Sequence, residues 1–342
     1  MSPSISHDWR RRDFLTRSAL AGAAGLLGVM PMPVAAEPPP ETTRIRILNV
    51  PAACLAPQFV AEGLLRSEGF TELQYVTPKP DQGPYVERAV ASGVIDLTMM
   101  DIPSLVLSLE RGDALIILAG PHVGCFELLS KEKVRSVRDL KGRTVSVAES
   151  GGGRHAFVAA MAVQVGLDPT KDLRFVVHQP TEGMRLFAEG KVDAFMGFPP
   201  EPQELRAKGI GHVVVSTLTD RPWSQYFCCL ITGNREFVGK HPVATKRAIR
   251  AILKATSICS AEPERAAKLL IDKGYVQGYE STLQLMRELP FAKWRDYNPE
   301  ETVRFHALRL HEAGMIKASP QKIIAQGTDW RFLNELKREL KA

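Results

Sequence analysis

After its first 36 residues the chain has no apolar run approaching the roughly 20 residues that span a bilayer, so nothing from position 37 onward reads as a membrane helix. It has no basic block either. Forty-four Lys and Arg against 38 Asp and Glu give a formal charge of +6; the first 36 residues hold four Arg and two Asp, and the remainder carries +4 spread along its length. That pattern gives no footprint for nucleic acid. Catalytic signatures are missing too: there is no G-x-S-x-G nucleophile elbow and no H-E-x-x-H, and His306 and His311, five apart on a helix, turn away from a common face. Cysteine is scarce. The five residues are odd in number and Cys228 and Cys229 are adjacent, so buried free thiols are expected at Cys54, Cys125 and Cys259, which lie in or beside apolar runs. No metal site and no cofactor are expected.

The first 36 residues read as a processing signal. Arg11-Arg12-Asp13-Phe14-Leu15 matches the twin-arginine export pattern, ahead of an Ala/Gly-rich stretch from Ser18 to Met32 and small residues suiting cleavage near Ala36. A Sec signal is the alternative, and both lead out of the cytoplasm. No Cys follows the apolar stretch, which argues against a lipid anchor. A soluble periplasmic protein is expected, with residues 37–43 as a proline-rich linker.

The remaining chain says one thing twice. Gly93, Asp96, Met99, Pro103 and Gly112 recur 97 residues later as Gly190, Asp193, Met196, Pro200 and Gly209; Arg46, Val50 and Gly69 recur as Arg143, Val147 and Gly166. A long period repeated only twice predicts two similar α/β lobes and no solenoid. Each copy reads as an apolar strand, a turn ending in Pro, a helix closed by Gly and another apolar strand. We assign residues 44–124 and 234–342 to lobe one and 125–233 to lobe two. The chain crosses between lobes after Gly120-Pro121-His122-Val123-Gly124, which breaks the strand pattern, and returns over Thr217 to Gln225 to the receiving strand Phe227 to Thr232. From Asn234 the pattern is helical, with helices expected over 242–259, 263–273, 280–289, 299–313 and 330–341, packed on lobe one.

Open α/β sheets bind ligands beyond the carboxyl ends of their strands, which directs attention to Asp101–Ser104 and Phe198–Glu201. The most informative short run is Ser150-Gly151-Gly152-Gly153-Arg154-His155, between a strand and a helix. Glycines there let backbone N–H groups approach a ligand, and a helix N-terminus favours an anion or polar acceptor; a plain tight turn is the alternative. The nucleotide-binding readings of this run and of Gly233–Lys240 fail on spacing and on the missing acidic or hydroxyl partner. Arg154 in a first helical turn is electrostatically unfavourable and wants an anion: either a ligand or Glu149. Asp101, Glu149 and Glu201 stand at the same mouth, lining it or on its rim.

Two lobes, two crossings, an export signal and no catalytic set describe a hinged ligand trap. Here the chain resembles the periplasmic solute-binding proteins of ABC importers for nitrate, taurine, alkanesulfonates and thiamine-precursor pyrimidines. Gln58 to Leu64, Gly93 to Pro103, Val137 to Gly142 and Gly190 to Pro200 carry the likeness, over about Arg44 to Gly274. The resemblance implies a two-lobe type II periplasmic binding protein fold, a monomer, a small polar or anionic organic ligand, and delivery to a membrane permease with its ATPase. By position it places ligand contacts at Ala53, Cys54, Asp101, Pro103, His122, Gly152, Gly153, Arg154, His155, Pro199 and Glu201, beside Ser150 from the loop itself. Three glycines followed by Arg depart from the Ser/Thr-rich loop of sulfonate binders. Two other functions fit the same fold: an exported sensory or interaction protein, and an enzyme like the thiamine-pyrimidine synthase of this family, of whose cysteine-rich segment Phe227-Cys228-Cys229 is a fragment.

Overall fold

The computed structural model describes residues 37–78 and 85–340; the expected signal peptide and its cleavage point lie outside them. The strands are β1 (Arg44–Leu48), β2 (Glu72–Val76), β3 (Leu97–Asp101), β4 (Leu115–Val123), β5 (Glu127–Ser130), β6 (Thr144–Val147), β7 (Arg174–Val177), β8 (Ala194–Gly197), β9 (His212–Ser216) and β10 (Phe227–Asn234). They form two five-stranded sheets, ordered β2-β1-β3-β10-β4 and β7-β6-β8-β5-β9. In each sheet three parallel strands meet one antiparallel strand, β10 or β5, that has just arrived from the other lobe.

The 97-residue echo has a physical basis at each end of the repeated unit. Asp96 accepts from the backbone N–H of Arg46 at 2.7 Å and pairs with its guanidinium at 2.5 Å, tying the start of β1 to that of β3. Asp193 does the same for the second sheet: it accepts from Thr144 N–H at 2.8 Å and lies 3.8 Å from Arg143. The paired glycines Gly93 and Gly190 have φ of 73° and 71°, a left-handed turn that an L side chain resists. The repeat therefore marks where the chain must turn and where it must be anchored.

Three expectations change. Residues 120–123 do not break the strand; β4 runs through them. β4 is an edge strand whose pairing with β10 is irregular, so Pro121 costs no central ladder bond, and Gly120 is required because a Cβ there would meet the Phe227 ring at 2.6 Å. β10 belongs to the first sheet, so the second lobe ends before Phe227 and not at residue 233. Cys125 is not a free thiol: it forms a disulfide with Cys228, while Cys54, Cys229 and Cys259 are free and buried. The bond ties the first crossing to the start of β10, with Cα atoms 6.4 Å apart across 103 residues of sequence. Closing a loop of that length constrains the unfolded chain by about 4 to 5 kcal/mol in chain-entropy terms.

The tail is helical at Pro242–Ala261, Pro263–Asp272, Tyr279–Glu288, Pro299–Glu312 and Arg331–Glu339, near the expected bounds, with further helices at Arg235–Lys240 and Pro320–Gly327. Most of it covers lobe one, but two of its helices also reach lobe two. Glu288 accepts from Arg206 at 2.9 Å, and Arg309 donates to Gln164 at 2.8 Å. Among the described residues no helix is long and apolar enough to cross a membrane.

Candidate functional site

The carboxyl ends of β1, β3 and β6 open on one cavity of about 280 Å³ between the lobes. Lobe one supplies Leu48, Val50, Ala52, Leu55, Val86, Glu87, Met99, Met100, Asp101 and Ser104; lobe two supplies Ala148, Glu149, Gly153, Arg154, Gln179, Pro180 and Phe198; Phe126 of the first crossing closes the back. Phe126 stacks obliquely on Phe198 at 4.9 Å and on Phe157 at 4.6 Å, giving the cavity an aromatic wall.

Of the twelve residues singled out from the sequence, Asp101, Gly153 and Arg154 line this cavity and Glu201 touches it through Arg154. Asp101 caps the helix Ile102–Arg111, accepting from Ser104 N–H at 3.0 Å. Gly153 opens the helix Gly153–Gln164 against that cap; a Cβ there would lie 2.4 Å from Asp101 Oδ1 and 2.6 Å from Ser104 Oγ. A Cβ on Gly152 would meet Glu149 Cγ at 2.1 Å. Gly153 thus sits where the lobes press together, Gly152 presses on Glu149 of its own loop, and Gly151 holds a left-handed φ of 72°.

The acid that pairs with Arg154 is not Glu149. Arg154 forms a two-pronged pair with Glu201 at 2.5 and 2.8 Å and donates to the Met196 carbonyl at 3.1 Å, both side chains being 15% exposed. Glu201 also accepts from Phe198 N–H at 3.1 Å. The guanidinium is held as part of lobe two, and its charge is balanced before any solute arrives.

The other eight stand elsewhere. Ala53, Cys54, Pro103, His122, Gly152 and Pro199 are buried away from the cavity lining, and Ser150 is exposed. His155 turns back on its own loop, where Nδ1 accepts from Gly151 N–H at 2.8 Å and the ring packs edge-on to Phe175. Burial lowers its pKa, in keeping with a neutral acceptor.

Acidity is what the sequence left unread. Desolvation pushes Glu87 up to about 7, and Asp101 and Glu149, also desolvated, are both raised and repel one another. Glu149, undecided between lining and rim, lines the cavity; Glu87 gave no signal, because an acid on a short helix ordinarily faces water. The charged groups lining the cavity are therefore three carboxyls and one guanidinium already paired to Glu201. The arrangement can enclose a small polar solute between an aromatic wall and acceptor groups.

A family model described as NMT1/THI5-like matches residues 61–266, more than half of the chain. The bicarbonate-binding protein CmpA of Synechococcus elongatus is 26% identical over 125 residues, 36% of this chain and 27% of its own length. A putative aliphatic sulfonates-binding protein of Escherichia coli K12 is 27% identical over 186 residues, covering 52% of this chain and 55% of its own. The chain thus spans between about a quarter and a half of the length of these curated relatives. Among solved structures, the periplasmic nitrate-binding protein NrtA from Synechocystis PCC 6803 superposes with a TM-score of 0.72 at 16% identity, covering 89% of this chain and 90% of that one. The periplasmic aliphatic sulphonate-binding protein SsuA from Escherichia coli gives 0.66 at 18% identity, covering 85% and 94%.

Proposed function

Because the chain belongs to the NMT1/THI5-like family and has the two-lobe type II periplasmic binding protein fold, we propose that it is the extracytoplasmic solute-binding component of an ABC importer. It closes on one small molecule without turning it over and hands it to a permease and its ATPase. The observation that carries this reading is the cavity that both lobes build at the carboxyl ends of their strands, with Phe126 of the first crossing in its wall. Its volume suits a small metabolite, near the lower end of ligand pockets. The relatives named above are binding proteins for bicarbonate and sulfonates, anions. Here Glu87, Asp101 and Glu149 favour a solute that offers a positive charge or several N–H donors, such as an amine or an aminated heterocycle, with its flat face on Phe126 and Phe198.

Mass spectrometry of the small molecule released by denaturing freshly purified protein identifies the solute directly; an anion bound in this cavity would defeat the charge argument. A second test uses pH. Glu87 ionises near 7, so a cationic solute should bind up to about tenfold more tightly at pH 8 than at pH 6. Binding that weakens over that range would mean an anion. A permease and an ATPase encoded beside this gene would support delivery, and a histidine kinase in their place would favour a sensor.

A further inference from the structure

Behind the wall of the cavity, three segments distant in sequence converge on one point. Cys54 stands in the 3-10 turn Ala53–Leu55, His122 in β4 and Cys229 in β10. Their exposures are 0%, 1% and 0%. Both sulfurs and one imidazole nitrogen lie within 4.8 Å of one another. None of the three lines the cavity.

We infer that Cys54, His122 and Cys229 form a binding site for a thiophilic divalent cation of the zinc class. The donor set is two sulfurs and an imidazole, which suits such an ion. With metal–sulfur bonds of about 2.3 Å and a metal–nitrogen bond of about 2.0 Å, ligand atoms in a zinc site are roughly 3.5 to 4 Å apart, so the three groups need to close by at most about 1.3 Å. The imidazole is presented for the task. Its Nδ1 is 3.3 Å from the Val123 carbonyl, and a proton donated there leaves a lone pair on Nε2. That Nε2 is buried and meets no hydrogen-bond partner. A nitrogen left so in a core asks for an occupant.

Charge agrees. A dication, two thiolates and a neutral imidazole sum to zero, the total that a fully buried site tolerates; each thiol gives up its proton to solvent as the metal enters. The neighbouring Cys125–Cys228 disulfide keeps two more sulfurs from competing as ligands, although Cys228 Sγ lies only 3.8 Å from Cys229 Sγ. The alternative, two thiols packed as small apolar groups with the Cys229 thiol facing Cys54 and the imidazole, accounts for the cysteines and leaves Nε2 with no partner at full hydrogen-bond distance.

The full chain, with its disulfide intact, is unfolded, refolded with one equivalent of Co²⁺ and dialysed. Thiolate-to-cobalt charge-transfer absorption in the near ultraviolet should appear at one ion per chain and be displaced by Zn²⁺. Cys259→Ser, at a free buried thiol outside the cluster, should keep the band, and Cys54→Ser or Cys229→Ser should lose it. Because the latter variants touch the core, the unaltered protein supplies an independent reading: zinc should slow alkylation of Cys54 and Cys229 during partial unfolding at least tenfold relative to Cys259. No cobalt band in the unaltered protein, a band that survives Cys54→Ser, or a Cys54–Cys229 disulfide in the purified protein would each overturn the site.

Discussion

Asp101 and Phe198 occupy the same point of the two lobes, 97 residues apart, and do different work. Asp101 caps its own helix and stays in the cavity as an acid. Phe198 caps nothing; the helix that follows it, Glu201–Ala207, has no side-chain cap, and the acid needed there is Glu201, three residues on, clasped by Arg154. Ala56 and Gly153, also 97 apart, each begin a helix. Only the glycine must admit the other lobe. The duplication supplies two equal scaffolds, and the cavity owes its character to the positions where the copies diverge: Asp101 on one side, and Phe198, Gly153 and the closed Arg154–Glu201 pair on the other.

This contrast can be broken in several places. Arg154→Ala should have the largest effect, about 3 kcal/mol, since it strands the Glu201 carboxylate at a site that is 15% exposed. Chemical denaturation of the ligand-free protein measures it. A loss below about 1 kcal/mol would mean that the pair is solvated and Arg154 is available to a solute after all.

The tail helix Pro299–Glu312 tests whether both lobes lean on one buried group. His306 packs against Phe157 of lobe two and Trp223 of the return crossing, and burial lowers its pKa to about 3. Its folded pKa lies below the unfolded value of about 6.5, so the unfolded chain takes up the proton first, and stability falls as pH drops through that window. The loss is about 1.4 kcal/mol per pH unit, or roughly 2 kcal/mol at pH 5. Glu87 and Glu127, both raised to about 7, act in the opposite direction between 7 and 4.5. The measurement is therefore the difference between the native chain and His306→Phe, and identical pH slopes in the two would refute it.

The repeated anchor offers the smallest and most direct comparison. Asp96 is 4% exposed under Arg46, whereas Asp193 and Arg143 are each 37% exposed at 3.8 Å. Arg46→Ala should cost about 2 kcal/mol and Arg143→Ala less than about 1. Equal losses in melting experiments would show that the two lobes use the anchor alike.

How far the sequence could be read follows from which interactions are local. Helix bounds such as Pro242–Ala261 and Pro263–Asp272 were legible because Pro at a helix start and the apolar period are local facts. Asp101 was legible as part of the strand-end segment Asp101–Ser104, but not as the cap of the helix that follows. Strand β4 was misjudged at Gly120 and Pro121, since what permits them is an edge position and the Phe227 ring, both contributed from far away. Glu87 was missed because its meaning comes from burial, which no local pattern records. Arg154 was rightly seen to want an anion, and the anion it found was 47 residues on.

The sequence by itself determined the two-lobe plan, most of the strands and helices in their order, and the family. These depend on turn glycines, capping residues and apolar periods repeated at a fixed offset, all of them properties of neighbours along the chain. Tertiary structure alone decided that the first crossing is joined to β10 by Cys125–Cys228, that Arg154 is held by Glu201, that three carboxyls gather at the cavity, and that Cys54, His122 and Cys229 meet behind it. Each of these depends on a distance between segments 40 or more residues apart and on how much water is left between them, which is set only when the two lobes and the tail have packed.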